Sequence, residues 1–229
     1  MSHLKISYLI TVKNETDTLT KLLERLIDCR LKTDEIVILD DFSDNVKTKE
    51  ILESVSCCVE GVKVYKHKLD NNYGEHKNFG NTKCSGDWVF QIDSDELPSE
   101  TLIFNIREII NTNKNVELIY VPRINDFRGV TQEHAKQWGW RLTPSPYCNN
   151  RPIVNWPDFQ SRIYKRVPER IKWDRKLHEK ITGHDQYAFL PQDEDLSLYH
   201  DKTIETQLKT NLRYNKDFSE DDNKGHKVI

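Results

Sequence analysis

The acidic triplet Asp93-Ser94-Asp95 has the residue types and spacing that could do chemistry. Its two carboxylates supply hard oxygen ligands of the kind that Mn²⁺ or Mg²⁺ prefers in proteins. Such a cation can bridge the phosphates of a nucleotide diphosphate and neutralise them as a leaving group. The same triplet also occurs in solvent-exposed turns, so the prediction of a metal site depends on where the triplet lies in the fold.

Two further polar clusters directly follow apolar runs of the sequence. Thr11, Lys13 and Glu15 follow the first run, and Asp40 and Asp41 follow the second. Ligands of open α/β sheets bind beyond the carboxyl ends of the strands, so we expect both clusters to meet the acidic triplet in one crevice. The adjacent acidic pair has a second interpretation, in which it caps the helix that follows.

The first half of the chain alternates strand-like and helix-like patterns. β-branched and apolar runs predict strands at 5–12, 35–39, 62–67, 88–92 and 118–121. Apolar residues at helical spacing predict helices near 19–27, 44–55, 76–84 and 102–110. This alternation predicts an α/β fold with a mostly parallel central sheet flanked by helices on both faces.

The second half is less regular. Residues 125–157 contain prolines and several aromatic residues without a clean period, so we predict an elaborated loop region there. Short apolar runs predict strands at 159–165 and 196–200, and Ile204, Leu208 and Leu212 predict a closing helix over 203–218. The polar residues 219–229 are expected to form a frayed tail.

Composition excludes several classes of partner. The 229 residues carry a net charge of −3 with acids and bases interspersed, which argues against a nucleic-acid partner. Five cysteines without a C-x-x-C pair indicate neither a disulfide framework nor a zinc site, and they favour the cytoplasm. No apolar stretch reaches the length of a membrane span, so contact with the cytoplasmic face of a membrane is expected to be peripheral if it occurs.

The order of the motifs excludes three other α/β classes. A response-regulator receiver carries its acidic pair after the first strand, and a haloacid-dehalogenase-type phosphatase carries its D-x-D triplet there. In this chain the pair follows the second predicted strand and the triplet follows the fourth. A dinucleotide-binding protein would have G-x-G-x-x-G after the first strand, and that motif is absent.

The sequence resembles the family 2 inverting glycosyltransferases with the GT-A fold, a Rossmann-like fold of nucleotide-diphospho-sugar transferases. The segments ISYLITVKNE at 6–15 and EIVILDDFS at 35–43 resemble the first two strands of that family and their nucleotide-binding turns. The segment NFGNTKCSGDWVFQIDSD at 78–95 resembles the approach to its metal-binding triplet. Residues 159–179 are similar to the acceptor-side segment of lipopolysaccharide-core-type and related small bacterial or viral members.

This resemblance implies one domain over 1–218, with a nucleotide-binding part at 1–123, an acceptor-side part at 124–218 and a tail at 219–229. It implies that the donor site contains the residues Thr11, Lys13, Glu15, Asp40, Asp41, Lys77 and Ser94. Asp41, or alternatively its neighbour Asp40, would bind the base. Lys77 would approach the sugar or phosphates, although it could equally be a surface lysine on a short helix.

The implied reaction is an inverting transfer of a sugar from a nucleotide diphosphate donor, a UDP-sugar, to a hydroxyl of a glycan acceptor. Glu179 is the predicted base that deprotonates this hydroxyl, and Asp158 is the reserve. The implied metal, Mn²⁺ or Mg²⁺, would be held by Asp93 and Asp95, with His200 completing its shell or touching the pyrophosphate. The alternative is a catalytically silent module of the same fold that binds a glycan or a protein partner.

Overall fold

The computed structural model describes residues 4–223, so residues 1–3 and the end of the predicted polar tail, 224–229, lie outside the described residues. The first half contains, in chain order, β1 (Ile6–Val12), α1 (Asp17–Cys29), β2 (Glu35–Asp40), α2 (Val46–Cys58), β3 (Val62–Lys66), α3 (Tyr73–Lys83), β4 (Trp88–Asp93), β5 (Leu97–Pro98) and α4 (Glu100–Thr112). The second half contains β6 (Leu118–Arg128), α5 (Gln132–Trp138), β7 (Leu142–Pro144), β8 (Pro152–Lys165), β9 (Lys172–Asp174), β10 (Lys180–Thr182), β11 (Tyr187–Phe189), β12 (Leu198–Thr203), α6 (Ile204–Asp217) and α7 (Glu220–Asn223).

The main sheet runs in the order β3-β2-β1-β4-β8-β6-β12-β5. The strands β3, β2, β1 and β4 are parallel to one another, and β12 is parallel to β6. Strand β8 lies between β4 and β6 and runs antiparallel to both. The mostly parallel sheet flanked by helices that the sequence predicts is therefore confirmed.

The strands that carry the first polar clusters are buried on both faces. Six of the seven residues of β1 and all six of β2 are buried, which explains their nearly continuous apolar sequences. The register pairs Thr11 with Asp93 and Val12 with Asp40. The carboxyl ends of three neighbouring strands consequently lie side by side at one edge of the sheet.

The prediction of a loop region over 125–157 is wrong. Strand β6 continues to Arg128, helix α5 follows, and β7 pairs with the beginning of β8. The sequence hides these strands because β6 alternates core residues with polar ones such as Arg123 and Asn125, whose partners lie in other strands. The prolines that suggested a loop occupy tolerated positions, since Pro152 is the first residue of β8 and Pro157 lies where the pairing of β8 with β6 is irregular.

The predicted closing helix forms as α6. Thr203 caps it by accepting a hydrogen bond from the backbone N–H of Thr206. Ile204 is buried, but Leu208 and Leu212 are exposed. The apolar spacing thus predicted the helix correctly, although it did not identify residues of the core.

Candidate active site

The acidic triplet begins at the last residue of β4, next to the end of β1. The Thr11 hydroxyl donates a hydrogen bond to Asp93 Oδ1 at 3.0 Å, and the backbone N–H of Ser94 donates to the Thr11 carbonyl at 3.2 Å. The side chain of Ser94 is buried. The triplet is therefore a fixed turn at the sheet edge and not a free solvent-exposed one.

Asp93 lies between two buried cations. Lys77 Nζ is 3.2 Å from Oδ1, and Arg162 Nη2 donates to Oδ2 at 2.7 Å. Burial alone would raise the pKa of the Asp93 carboxyl, but Lys77 and then Arg162 outweigh it and hold that pKa well below its usual range. Both carboxylate oxygens of Asp93 are therefore engaged by positive charge.

Lys77 projects from the buried side of α3, so its interpretation as a surface lysine is wrong. Only 1% of its side chain is exposed, and its Nζ donates a hydrogen bond to Glu179 Oε1 at 2.5 Å. The Nζ also lies 4.7 Å from the centroid of the Trp173 ring, a cation–π contact. One ammonium group thus joins Asp93 at the end of β4 to Glu179.

The β9–β10 hairpin brings Glu179 to this place. The Asn78 side chain on α3 donates to the Trp173 carbonyl at 2.8 Å and accepts from the Trp173 backbone N–H at 2.9 Å. Gly74 permits close packing of the helix on the hairpin, because an added Cβ there would lie 2.5 Å from the Arg175 carbonyl oxygen. These contacts fix the turn that precedes β10 against α3.

Asp95 has different surroundings from Asp93. Its Oδ2 lies 3.3 Å from His200 Nε2 and 3.4 Å from Lys202 Nζ, both of which belong to β12. Burial would raise the pKa of Asp95, but His200 and Lys202 lower it. The other ring nitrogen of His200, Nδ1, is 2.9 Å from the Asn125 side-chain oxygen, which orients the ring.

Glu96 and two arginines form a buried ionic cluster that the sequence did not predict as part of the site. Glu96 Oε1 accepts from Arg162 Nη2 at 2.6 Å and from Arg123 Nη1 at 2.8 Å. Burial alone would lower the pKa of Arg162, but Glu96 and Asp93 outweigh it and raise that pKa, so the guanidinium stays charged. The available signal was a charged residue inside an apolar strand, since a buried charge requires a partner.

Asp158, the predicted reserve base, is held by the same cluster. Its Oδ2 accepts from Arg123 Nη2 at 2.6 Å and from the Asn125 side chain at 2.8 Å, while Gln160 donates to Oδ1 at 2.8 Å. Asp158 therefore has the environment of an anchor for Arg123.

The two acids at the end of β2 also differ from each other. Asp40 is buried and accepts from the backbone N–H of Ser43 at 2.9 Å, so it stabilises the turn. Asp41 accepts from Lys13 Nζ at 2.8 Å and from the backbone N–H of Leu69 at 2.9 Å. The interpretation that these acids cap the next helix is wrong, because the N-cap of α2 is Asn45, which accepts from the backbone N–H of Thr48. Asp40 stabilises the turn instead, whereas Asp41 links the ends of β1, β2 and β3.

Glu15 lies at the outer side of this edge. Its carboxylate accepts from the Thr18 hydroxyl at 3.0 Å, and its carbonyl accepts from the Thr48 hydroxyl at 2.9 Å. Both of these hydrogen bonds lead away from Asp41 and from the acidic triplet. The structure thus gives Glu15 the partners of a residue that joins α1 to α2.

A histidine pair next to Asp41 was not identified from the sequence. His67 Nδ1 and His76 Nδ1 are 3.1 Å apart, and the His67 ring stacks on Phe79 at 4.0 Å between centroids. Burial, and then the nearby His67, lower the pKa of His76 to about 4. The buried ring of His76 is therefore neutral near pH 7.

The described residues contain no ready-made cage for a metal ion. Over residues 4–223, no group of three or more His, Cys, Asp or Glu side chains is arranged to hold one. Asp95 and His200 nevertheless present an oxygen and a nitrogen 3.3 Å apart, which suits a cation that takes its other ligands from phosphate oxygens and water. The residues therefore fit a metal that binds together with a nucleotide diphosphate.

None of the helices between residues 4 and 223 combines the length and the apolar character that crossing a bilayer requires.

The α/β sheet, with carboxylates, a buried lysine and a histidine at its carboxyl edge, has the groups that a transferase of nucleotide-diphospho-sugars requires. The chain belongs to glycosyl transferase family 2, whose sequence profile matches residues 7–178, more than half of the chain. The predicted membership of family 2 is therefore confirmed.

Solved structures show the same fold. The crystal structure of S. aureus TarS has a TM-score of 0.60 at 20% identity, covering 95% of this chain and 41% of TarS. TarS 1-349 in complex with UDP-GlcNAc also has a TM-score of 0.60 at 20% identity, covering 86% of this chain and 58% of that one. The predicted GT-A fold is confirmed, and the chain spans about half the length of these TarS structures.

Proposed function

We propose that this chain transfers a sugar from a nucleotide diphosphate to a hydroxyl of a glycan, with inversion at the anomeric carbon. The donor is a UDP-sugar, and residues 1–218 act as one domain, with the donor on the part at 1–123 and the acceptor on the part at 124–218. The proposed location is the cytoplasm or the cytoplasmic face of a membrane, where lipopolysaccharide-core-type members of the family would find their acceptors.

The observation that carries this proposal is the bridge formed by Lys77 between Asp93 and Glu179. An inverting transfer requires a base on one side of the reacting carbon and a stabilised leaving group on the other. Lys77 connects a carboxylate of the acceptor-side hairpin to the strand end at which donors bind in open α/β sheets. The base and the donor site are thus held in one ionic network.

The reaction is a single displacement. Glu179 accepts the proton of the acceptor hydroxyl as that oxygen forms a bond to the anomeric carbon, and the bond from this carbon to the nucleotide diphosphate breaks. The ion pair with Lys77 orients the Glu179 carboxylate. Lys77 also carries a positive charge that offsets the negative charge developing on the leaving diphosphate.

Asp95 and His200 would hold the divalent ion, Mn²⁺ or Mg²⁺. When bound, such an ion neutralises the phosphates of the leaving group. Asp93, which was predicted as a further ligand, is already engaged by Lys77 and Arg162, so its proposed contribution is to position Lys77. Asn125 contacts the other ring nitrogen of His200 and thereby orients the ring.

The UDP proposal rests on two observations. TarS 1-349, which has this fold, was solved in complex with UDP-GlcNAc. In this chain, Lys13 and Asp41 lie at the strand ends where the nucleoside would bind, and Ser94 lies beside the proposed metal ligand Asp95. Asp41 is the proposed contact to the base, because Asp40 is occupied with its own turn.

A donor screen tests the reaction directly. Hydrolysis and transfer of UDP-, GDP- and other nucleotide sugars are measured with and without Mn²⁺. We expect turnover of one UDP-sugar that depends on the metal. A catalytically silent module would show binding without turnover, and the absence of any rise in melting temperature with Mn²⁺ and any nucleotide diphosphate would contradict both donor binding and the enzyme proposal.

Glu179→Gln tests the assignment of the base. The substitution keeps the shape of the side chain and removes its basicity, so kcat should fall by about 10² to 10⁴-fold while donor binding persists. Glu169→Gln, a glutamate outside the network, is the matched control and should keep wild-type kcat. Full transfer by the Glu179→Gln variant would rule out Glu179 as the base.

A further inference from the structure

Strand β8 contains a bulge at Arg162. Two consecutive residues of β6, Ile119 and Tyr120, pair with Ile163 and Ser161 of β8. Arg162 is the extra residue between them, and the pairing of β8 with β4 ends at Ile163. A bulge of this kind redirects one side chain without interrupting the rest of the strand.

The bulged side chain contacts three acceptors at the centre of the proposed site. Arg162 Nη1 donates to the Gln91 side-chain oxygen at 2.6 Å, and Nη2 donates to Asp93 at 2.7 Å and to Glu96 at 2.6 Å. Only 4% of Arg162 is exposed. Its contacts cross from β8 to β4 and to the turn after β4, so one guanidinium fixes the strand end from which the acidic triplet starts.

The planar shape of the guanidinium matters for these contacts. An arginine presents donors in a rigid fork that can bind separate acceptors at fixed angles, whereas a lysine offers one compact charge on a flexible stem. Glu96 is held from its other side by Arg123, which in turn holds Asp158. Arg162 is therefore supported by residues of three strands and by the turn after β4.

We propose that Arg162 is a positioning residue for the transfer reaction, acting through Asp93 on Lys77 and thereby on Glu179. This inference rests on the proposed function. Arg162 orients the Asp93 carboxylate from one side while Lys77 binds it from the other. Without the Arg162 guanidinium, the Asp93 carboxylate that binds Lys77 is no longer held in one orientation. The distance between Glu179, which Lys77 binds, and the donor is then no longer fixed by the sheet.

Arg162→Lys tests this role because it keeps the charge and removes the fork. A misplacement of about 1 Å in an active site can cost about a hundredfold, so we expect kcat to fall by about that factor while the KM for the donor stays within about threefold. Arg162→Ala should lose a similar factor in kcat, and guanidinium ion at millimolar concentration should restore part of it. Arg170→Lys, at an exposed ion pair with Glu117, is the matched control and should behave like the wild type.

The outcomes separate the possible failures. Wild-type kcat in Arg162→Lys would overturn the positioning role. A loss of kcat accompanied by an equal loss of donor affinity and of melting temperature, without rescue of Arg162→Ala by guanidinium, would also overturn it and leave Arg162 as a folding residue. If the wild-type chain transfers no sugar under any condition, the proposed function fails first and this inference fails with it.

Discussion

The two aspartates of the acidic triplet are separated in sequence by one residue, Ser94, and have different environments. Asp93 ends β4 and is bound by Lys77 and Arg162, both almost fully buried. Asp95 lies in the turn beyond and faces His200 and Lys202 of β12. Asp93 thus contacts the side of the network that leads to Glu179, whereas Asp95 contacts a residue that can bind a metal.

The difference shows that a D-x-D triplet need not act as a symmetric chelate. Both oxygens of Asp93 are paired with buried cations, which leaves little capacity for a divalent ion. Asp95 instead has Oδ2 beside the His200 ring and Lys202. The side chain of Asp93 points to the cations of α3 and β8, and that of Asp95 to β12. Under the proposed mechanism the motif divides between positioning, by Asp93, and metal binding, by Asp95.

Asp95→Asn is expected to have the largest effect. Removing a charged metal ligand should weaken Mn²⁺-dependent binding of a nucleotide diphosphate by about a hundredfold, with little change in metal-free binding. Titration calorimetry with and without Mn²⁺ measures both quantities. Asp201→Asn, at an exposed ion pair on the same strand as His200, is the matched control and should bind like the wild type.

Asp93→Asn should have the opposite pattern. It leaves the buried cations Lys77 and Arg162 without their shared counter-charge, so the free energy of unfolding should fall by about 2 kcal/mol, less than for a fully buried pair because Asp93 is 31% exposed. Mn²⁺-dependent binding should change much less than in Asp95→Asn. Equal losses of metal binding in the two variants would show that both aspartates are ligands and would contradict the division.

His76 offers a smaller test, which separates the loss of stability in acid that arises at the His67–His76 pair from the loss that arises at the acidic triplet. Its pKa in the folded chain is lowered to about 4 by burial, while in the unfolded chain it is about 6.5. Between these values the unfolded chain binds more protons, so the stability contribution present at neutral pH is lost as the pH falls from about 6.5 to 4.

Replacing His76 by Asn should remove this part of the acid sensitivity, about 2 kcal/mol between pH 7 and pH 5, as measured by chemical unfolding at several pH values. His134→Asn on α5 is the matched control. An unchanged slope of stability against pH in His76→Asn would mean that the acid sensitivity arises elsewhere, the triplet included.

The half of the sheet formed by β2, β1 and β4 could be predicted from the sequence. Its parallel strands are buried on both faces, and their polar clusters begin where the apolar runs end, so pattern and position agree. The positions of Thr11 and Asp93 follow directly from adjacent parallel strands in register. Local sequence carries this information because each strand is one uninterrupted apolar run.

The rest of the site could not be predicted, because its contacts join distant parts of the chain through polar side chains. Arg162 and Glu96 are 66 residues apart, and nothing in the local sequence of either one names the other as its partner. The bulge in β8 changes which face a residue occupies, which periodicity cannot detect. The buried position of Lys77 likewise depends on the β9–β10 hairpin, about a hundred residues away.

The place of β8 in the sheet also has a consequence for the order of assembly. Strands β1 to β4 are complete by residue 93. Asp93 can pair with Arg162 only after a further 69 residues of chain have been added. Contacts of such large sequence separation form slowly, since a long loop must be closed before they are gained. During synthesis on a ribosome, a nascent chain that ends before residue 152 contains the acidic triplet without β8. The carboxyl ends of β1, β2 and β4 are therefore synthesised before Arg162, which binds Asp93.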